Sequence, residues 1–246
     1  MNELTADEVR QVKQAILDEA KARPPAIGVI GVSGTGKSST INAMFKTSLA
    51  ISHTRACTKE FLTTELELRM TKGAAENETV SLVVVDAPGL GEDIHSDPTY
   101  IEMYRQNLPH CDVILWLMTA RNRAVCLDQQ YLQDFESYHR RIVFAVNQVD
   151  LVHPLDWNPA SPVPSVEMER NIRDIVDDRA DKLGSVLGFR PNVIGFSAER
   201  GYNLEELFAS LIAATSESRK FLFDFLKNFS YQDFVPTQSR KELRRR

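Results

Sequence analysis

Between an apolar segment, Ala26 to Ile30, and a helix-forming stretch that begins at Ser38 lies Gly31-Val32-Ser33-Gly34-Thr35-Gly36-Lys37-Ser38. Its spacing, GxxxxGK[ST], needs a strand that ends at the first glycine and a helix that opens at the lysine, so it constrains the fold tightly. Glycines let successive backbone N–H groups curl around an anion, and the helix N-terminus adds partial positive charge. The segment therefore predicts a nucleoside-phosphate site. Lys37 would reach the β- and γ-phosphates and the Ser38 hydroxyl would ligate Mg²⁺. Gly31, Ser33, Gly34, Thr35, Gly36 and Ser39 complete the expected phosphate contacts. A ligand-free glycine-rich turn is the competing reading, and the register of strand, loop and helix disfavours it.

The rest of the chain has the pattern of an α/β protein. Residues 4–22 predict an amphipathic helix: Thr5 and Glu8 form a capping-box pair, and Leu4, Val9, Val12, Ile16 and Ala20 recur at helical spacing. Pro24-Pro25 stops it. Phe61–Met70 alternates, with Leu62, Thr64, Leu66, Leu68 and Met70 on one face, as in a half-solvated strand near a sheet edge. Val80–Val85 is an almost unbroken β-branched run, expected of a strand covered on both faces, and the short link between the two favours an antiparallel hairpin. Further strands are expected at Val113–Met118, Arg141–Val146 and Asn192–Phe196, with helices between them, giving a mostly parallel sheet. A Pro-rich loop at 153–165 precedes a long helix at about 166–187. The organisation expected is an N-terminal helix (1–25), a nucleotide-binding domain (26–215) and an aromatic and basic C-terminal extension (216–246).

Magnesium at such a site needs a second oxygen ligand at the end of a neighbouring buried strand. Asp86, in Asp86-Ala87-Pro88-Gly89, meets that requirement directly after Val83-Val84-Val85. The Gly89 N–H is then expected at the γ-phosphate. Thr58, just before the strand near Phe61, is expected to complete the metal shell when a triphosphate is bound, with Thr54 as the other candidate. Base choice falls to Asn147-Gln148-Val149-Asp150, after the strand 141–146. A carboxylate at Asp150 accepts from the N1–H and 2-amino donors of guanine, which adenine lacks. Asn147 would tie this loop to the phosphate loop, and in Ser197-Ala198-Glu199 the Ala198 N–H is expected at the guanine O6. All these loops follow strands and lie at the carboxyl edge of one sheet, where open α/β folds bind ligands.

The order of GVSGTGKS, Thr58, DAPG, NQVD and FSA resembles the Era/TrmE-like branch of P-loop GTPases. Within that branch it is similar to bacterial YfjP-like proteins with a 50S ribosome-binding-type GTPase domain, as Leu115-Trp116-Leu117-Met118, Arg123-Ala124 and Val146-Asn147-Gln148 also suggest. The resemblance covers about residues 26–215. It implies a three-layer domain: six strands, mostly parallel with one antiparallel edge strand, between helices. GTP or GDP with Mg²⁺ would be the ligands, and two mobile switch loops are expected around 47–60 and 87–100. Two positions depart from the pattern. Gln148 stands where the family usually has Lys over the guanine face, which predicts weaker affinity without a change of base. Leu90 stands where Ras-type proteins carry a water-orienting Gln, and Gly34 stands where some relatives carry a potassium-binding Asn, so no catalytic water-positioning group is identifiable. Arg121 and Arg123 are candidates for a cis arginine or for ordinary solvated residues.

Composition bounds the remaining readings. With 246 residues and 43% hydrophobic content the chain can build a core without metals or disulfides, and a net charge of −5 does not advertise nucleic-acid or membrane binding. Three separated cysteines, Cys57, Cys111 and Cys126, suggest a reducing, cytoplasmic setting, and no apolar run is long enough to span a bilayer. The five histidines lack zinc-ligand spacing. Trp157 reads either as packing over the base-binding edge or as a partner anchor. The expected activity is GTP hydrolysis by a slow switch protein. The alternatives are a GTP-dependent assembly module with negligible turnover, using the apolar C-terminal segment in a homodimer, and an ATPase or small-molecule kinase. Ribosome or RNA contact is implied by family analogy alone.

Overall fold

The apolar segments meet in one seven-stranded sheet of order β6-β5-β4-β1-β3-β2-β7. The computed structural model describes residues 5–50, 60–69, 79–91, 95, 97–158, 163–215 and 219–236. In chain order its elements are α1 (Ala6–Ala22), β1 (Ala26–Gly31), α2 (Lys37–Phe45), β2 (Leu62–Arg69), β3 (Thr79–Asp86), α3 (Asp97–Asn107), β4 (Val113–Thr119), α4 (Cys126–Asp134), β5 (Ile142–Asn147), α5 (Val166–Leu187), β6 (Val193–Gly195), α6 (Leu204–Ala213), α7 (Lys220–Leu226) and β7 (Phe234–Pro236). β1 runs parallel to β3 and β4, and β4, β5 and β6 continue the parallel run. β2 pairs antiparallel with β3 over its whole length, as its alternation and the short link predicted. No helix among the described residues is long and apolar enough to cross a membrane.

The seventh strand is the main departure from the six expected. β7 comes from the C-terminal extension and pairs antiparallel with β2 at Leu66–Leu68, so β2 is not the free edge of the sheet. The C-terminal aromatics build core. Phe234 lies against Phe45 of α2 and Phe208 of α6, with ring centroids 6.5 and 5.6 Å apart, and Leu222, Phe223 and Leu226 of α7 are buried in the same cluster. Arg219, 4% exposed, holds the extension to the other end of the chain. Its guanidinium donates to the Arg23 carbonyl (2.6 Å) and lies 3.5 Å from Asp112, whose other oxygen accepts the Ala26 N–H.

Two further expectations change. The capping box of α1 forms, Thr5 and Glu8 each accepting from the other's backbone, yet Val9 and Val12 are exposed and only the last two turns, through Leu17 and Ala20, enter the core. β3 is covered fully on one face only: Val80, Leu82 and Val84 are buried, whereas Val83 and Val85 are half-buried. The strand opposite explains this, since β2 sets Glu65 against Val83 and Thr63 against Val85. Helices α3, α4 and α5 cover a second cluster around Trp116, Phe135 and Phe144 on that side of β4 and β5.

Inside this second layer Asp128 accepts a hydrogen bond from the Trp116 indole (2.8 Å). A cavity of about 30 Å³ separates Asp128 and Arg179 from Ser33 and Thr35 of the glycine-rich loop. Burial pushes the Asp128 carboxyl up to about 6, against the opposing pull of the Trp116 hydrogen bond and the Arg179 charge.

Two predictions follow from this packing. Phe234→Ala should destabilise the chain by roughly 3–5 kcal/mol in urea unfolding, because a buried ring shared by three elements cannot be replaced by collapse; a change within about 0.5 kcal/mol would show that the extension is dispensable. For Asp128, the folded carboxyl is raised to about 6, whereas an unfolded one titrates near ~3.9. The folded chain therefore holds more protons between those values, and stability falls as pH rises from about 4 to about 6. Asp128→Asn keeps an oxygen for Trp116 and removes the charge. It should exceed the wild type at pH ~8 by roughly 1–3 kcal/mol and match it near pH ~4; an equal difference at both pH values would remove Asp128 as the source.

Candidate functional site

β1 ends at Gly31, and the chain turns through the glycine-rich loop into α2. The N-cap of α2 is Gly36, which offers no side chain, so the first-turn N–H groups of the helix are not capped by their own chain end. Gly36 has φ +86°, and a Cβ there would lie 2.5 Å from the Asn147 amide. Both the backbone and the neighbour demand glycine. Lys37 is 8% exposed; its ammonium donates to the Gly31 and Val32 carbonyls at 3.1 and 3.3 Å. Thr35 closes the loop from within by donating to the Val32 carbonyl (2.9 Å).

At the end of β3, the buried Asp86 accepts a hydrogen bond from the Ser38 hydroxyl at 2.6 Å. Two hard oxygen donors, one from the first turn of α2 and one from the end of β3, thus meet beside the α2 N-terminus. This suits magnesium, which takes few protein ligands and keeps water and phosphate oxygens for the rest. Among the described residues no three His, Cys, Asp or Glu side chains gather as a metal-binding cluster. Thr58 and Thr54 lie outside the described residues.

The Asp86–Gly89 turn is seated directly on the glycine-rich loop. A Cβ at Gly89 would stand 2.8 Å from the Ser33 Cα. Next to it, the Leu90 carbonyl accepts from the Ser33 N–H (2.8 Å) and the Leu90 N–H donates to Gly31 (3.2 Å). The Leu90 side chain is 0% exposed and packs in the second core cluster, so this position anchors the turn to the core. Three residues that sequence reasoning missed hold the turn from behind. The buried Tyr104 hydroxyl donates to the Pro88 carbonyl (2.5 Å), the Asp97 carboxylate accepts the Gly91 N–H (3.0 Å), and Tyr131 donates to Asp97. Desolvation raises the Tyr104 phenol well above its ordinary pKa, so it remains a donor across the physiological range. Nothing in their spacing marks them out; they sit among ordinary helix residues of α3 and α4.

On the other side, Asn147 is buried at the end of β5. Its Nδ2 donates to the Thr35 carbonyl (3.0 Å), and its Oδ1 accepts the Ala198 N–H (3.1 Å). The N–H expected at a guanine O6 is thus engaged by Asn147. The half-buried Asp150 accepts from the Ser197 hydroxyl (2.6 Å), and that hydroxyl in turn accepts the Arg200 N–H (3.0 Å). Ser197 is fully buried, so it braces Asp150 from behind. Gln148 adopts φ +64°, and its side chain bonds Thr119 (2.7 Å) and the Gly34 carbonyl (3.4 Å). Trp157 packs edge-on against Tyr202 and donates to the Asp150 carbonyl (3.4 Å), in keeping with packing along the base edge. Arg121 and Arg123 line a cavity of about 620 Å³ with Leu151, His153 and α5.

Residues 26–148, half of the chain, match the family described as 50S ribosome-binding GTPase. Of curated proteins, YfjP of Escherichia coli (strain K12) is 33% identical over 151 residues, covering 60% of this chain and 48% of its own length. YkfA of the same organism is 34% identical over 133 residues, covering 53% and 43%. The chain spans about half the length of these relatives. GTPase Era of Caldanaerobacter subterraneus is 23% identical over 226 residues, covering 88% of this chain and 71% of its own. Two solved structures of Era share the fold. One, from Aquifex aeolicus with GDP and AlF4⁻, has a TM-score of 0.57 at 19% identity and covers 78% of this chain and 57% of its own. The other, with MgGDPNP and a segment of 16S ribosomal RNA, has the same TM-score, identity and coverage. With the sheet order, the glycine-rich loop and the Asn147 loop all inside the matched region or next to it, the chain belongs to the 50S ribosome-binding GTPase family.

Proposed function

We propose that the chain binds GTP and GDP with Mg²⁺ and hydrolyses GTP slowly, acting as a nucleotide-controlled switch. The observation that carries this reading is the Asn147 carboxamide, which hydrogen-bonds the phosphate loop at Thr35 and the following loop at Ala198. One nucleotide bridging these loops would have its phosphates at the α2 N-terminus and its base beside Asp150. Gly31, Ser33, Gly34, Thr35, Gly36, Lys37, Ser38 and Ser39 would form the phosphate cradle, with Gly89 at the γ-phosphate. Asn147, Gln148, Asp150, Ser197 and Ala198 would frame the base. Ser38 and Asp86 would hold magnesium, joined by Thr58 when GTP is bound. The ion would neutralise charge on the β- and γ-phosphate oxygens.

Lys37 supplies a fixed positive charge for the phosphoryl oxygens, and its anchorage to Gly31 and Val32 holds it there before the ligand arrives. Asp150 supplies base selection, because an acceptor carboxylate braced by Ser197 would face two guanine donors. Ala198 would have to share its N–H between Asn147 and the base, or give it up to the base.

Leu90 favours a second reading. Its side chain is committed to the core, so nothing at that position orients a water molecule. A GTP-dependent assembly module with negligible turnover fits this equally. An RNA or ribosomal partner rests on the likeness to Era alone, and the net charge of −5 adds no support.

Phosphate release measured against protein concentration, with and without potassium, separates the two readings. The switch predicts slow release that Lys37→Ala abolishes; no release under any condition would leave only the assembly module. For base choice, Asp150→Asn should weaken GDP binding by roughly a hundredfold and raise affinity for xanthosine diphosphate, since the amide presents a donor where the carboxylate only accepts. Equal binding of ATP and GTP by the wild type would overturn the guanine assignment.

A further inference from the structure

Gln148 is one atom shorter in reach than the lysine usual at its position, carries no charge, and ends in an amide that can present either its oxygen or its nitrogen to a neighbour. Left to rotate, such a group would neither hold the phosphate loop nor offer a fixed flat face to a base. The structure removes that freedom through a neighbour. Thr119, the last residue of β4, lies in register with Asn147, the last residue of β5, so Thr119 and Gln148 leave adjacent strand ends. The positive φ of Gln148 turns the chain sharply just beyond that point. The Thr119 hydroxyl has one hydrogen to give. Its oxygen already accepts the Arg121 N–H at 3.2 Å, and the hydrogen goes to the Gln148 Oε1 at 2.7 Å. With Oε1 so engaged, the amide nitrogen turns to the Gly34 carbonyl, 3.4 Å away in the phosphate loop. The Gly34 carbonyl can only accept, so it takes the amide nitrogen and leaves Oε1 to the Thr119 hydroxyl, which must donate.

We propose that Thr119 is a positioning residue for guanine-nucleotide binding: it holds the Gln148 carboxamide with its nitrogen on the phosphate loop, so that a neutral side chain links the base and phosphate loops. The proposal rests on the guanine-nucleotide reading of the site. It gives Thr119 a consequence that a packing role would not have: its hydroxyl matters only while residue 148 is an amide. A lysine there has three donors and no acceptor, and would reach Gly34 without help.

The test is a double-mutant cycle on the full chain in magnesium buffer, reading the dissociation rate and affinity of a fluorescent GDP analogue, with thermal unfolding of the nucleotide-free chains alongside. Thr119→Val keeps the shape and removes the hydroxyl; it should speed dissociation by roughly three- to tenfold, the range for one lost hydrogen bond. Thr119→Ser restores the hydroxyl and should return the rate to within about twofold of wild type. In the Gln148→Lys background, Thr119→Val should change the rate by less than about twofold. Equal effects of Thr119→Val in both backgrounds, no effect in the wild type, or failure of Thr119→Ser to rescue would each overturn the proposal. If Thr119→Val does not fold, Thr119→Ala in the same two backgrounds gives the same cycle. A wild type that binds no guanine nucleotide overturns the reading of the site as well, whereas binding with a flat cycle overturns Thr119 alone.

Discussion

Asn147 is 2% exposed and uses both ends of its carboxamide on other loops, one on Thr35 and one on Ala198. A buried amide left without partners costs about 1–3 kcal/mol, so these bonds hold three chain segments together as well as stabilising each. Gly36 closes against the same side chain, with no room for a Cβ. The geometry of the phosphate loop is therefore tied to the base loop before any ligand binds. Prior organisation of this kind spares the ligand the entropic cost of gathering the loops.

A second seam lies along Leu90. Its backbone is stitched to Ser33 and Gly31, and its side chain fills the second core cluster. Tyr104 and Asp97 grip the same turn from the helix layer, and Tyr131 holds Asp97 in turn. The turn from Asp86 to Gly91 is thus set by core packing on one side and backbone hydrogen bonds on the other. A continuous chain of hydrogen bonds therefore joins the turn on the phosphate loop to α3 and α4. The Asp128 layer lies directly beneath, where an ionisable side chain and a small cavity stand between the loop and α5.

The local elements were readable because each rests on short-range physics. The capping box at Thr5 and Glu8, the alternation through Leu66 and Leu68, and the glycine spacing at 31–36 all act within a few residues, and each appears in the fold. The extension beyond residue 215 was not readable in the same way. Phe234 and Pro236 form a strand only because β2 offers an unpaired edge, and Arg219 is buried only because Asp112 and the Arg23 carbonyl wait for it. Those partners are far away in sequence, so no local pattern announces them. The same holds for α1, whose apolar stripe is continuous in the sequence while only Leu17 and Ala20 of it are buried and Val9 and Val12 stay exposed.

At the site, the residue types alone set out the chemistry on offer: an ammonium, a hydroxyl and a carboxylate at Lys37, Ser38 and Asp86, and a carboxamide and a carboxylate at Asn147 and Asp150. It also marked Gln148 and Leu90 as departures. What those departures do depends on their neighbours in the fold. Gln148 is held by Thr119, from the neighbouring strand end, and Leu90 is spent on the core. Ser197 stands behind Asp150 as its brace, and the Ala198 N–H is committed to Asn147. Residue type fixes what a side chain can donate or accept, and that is local. Which partner it meets depends on strand register and packing between segments brought together only by the fold.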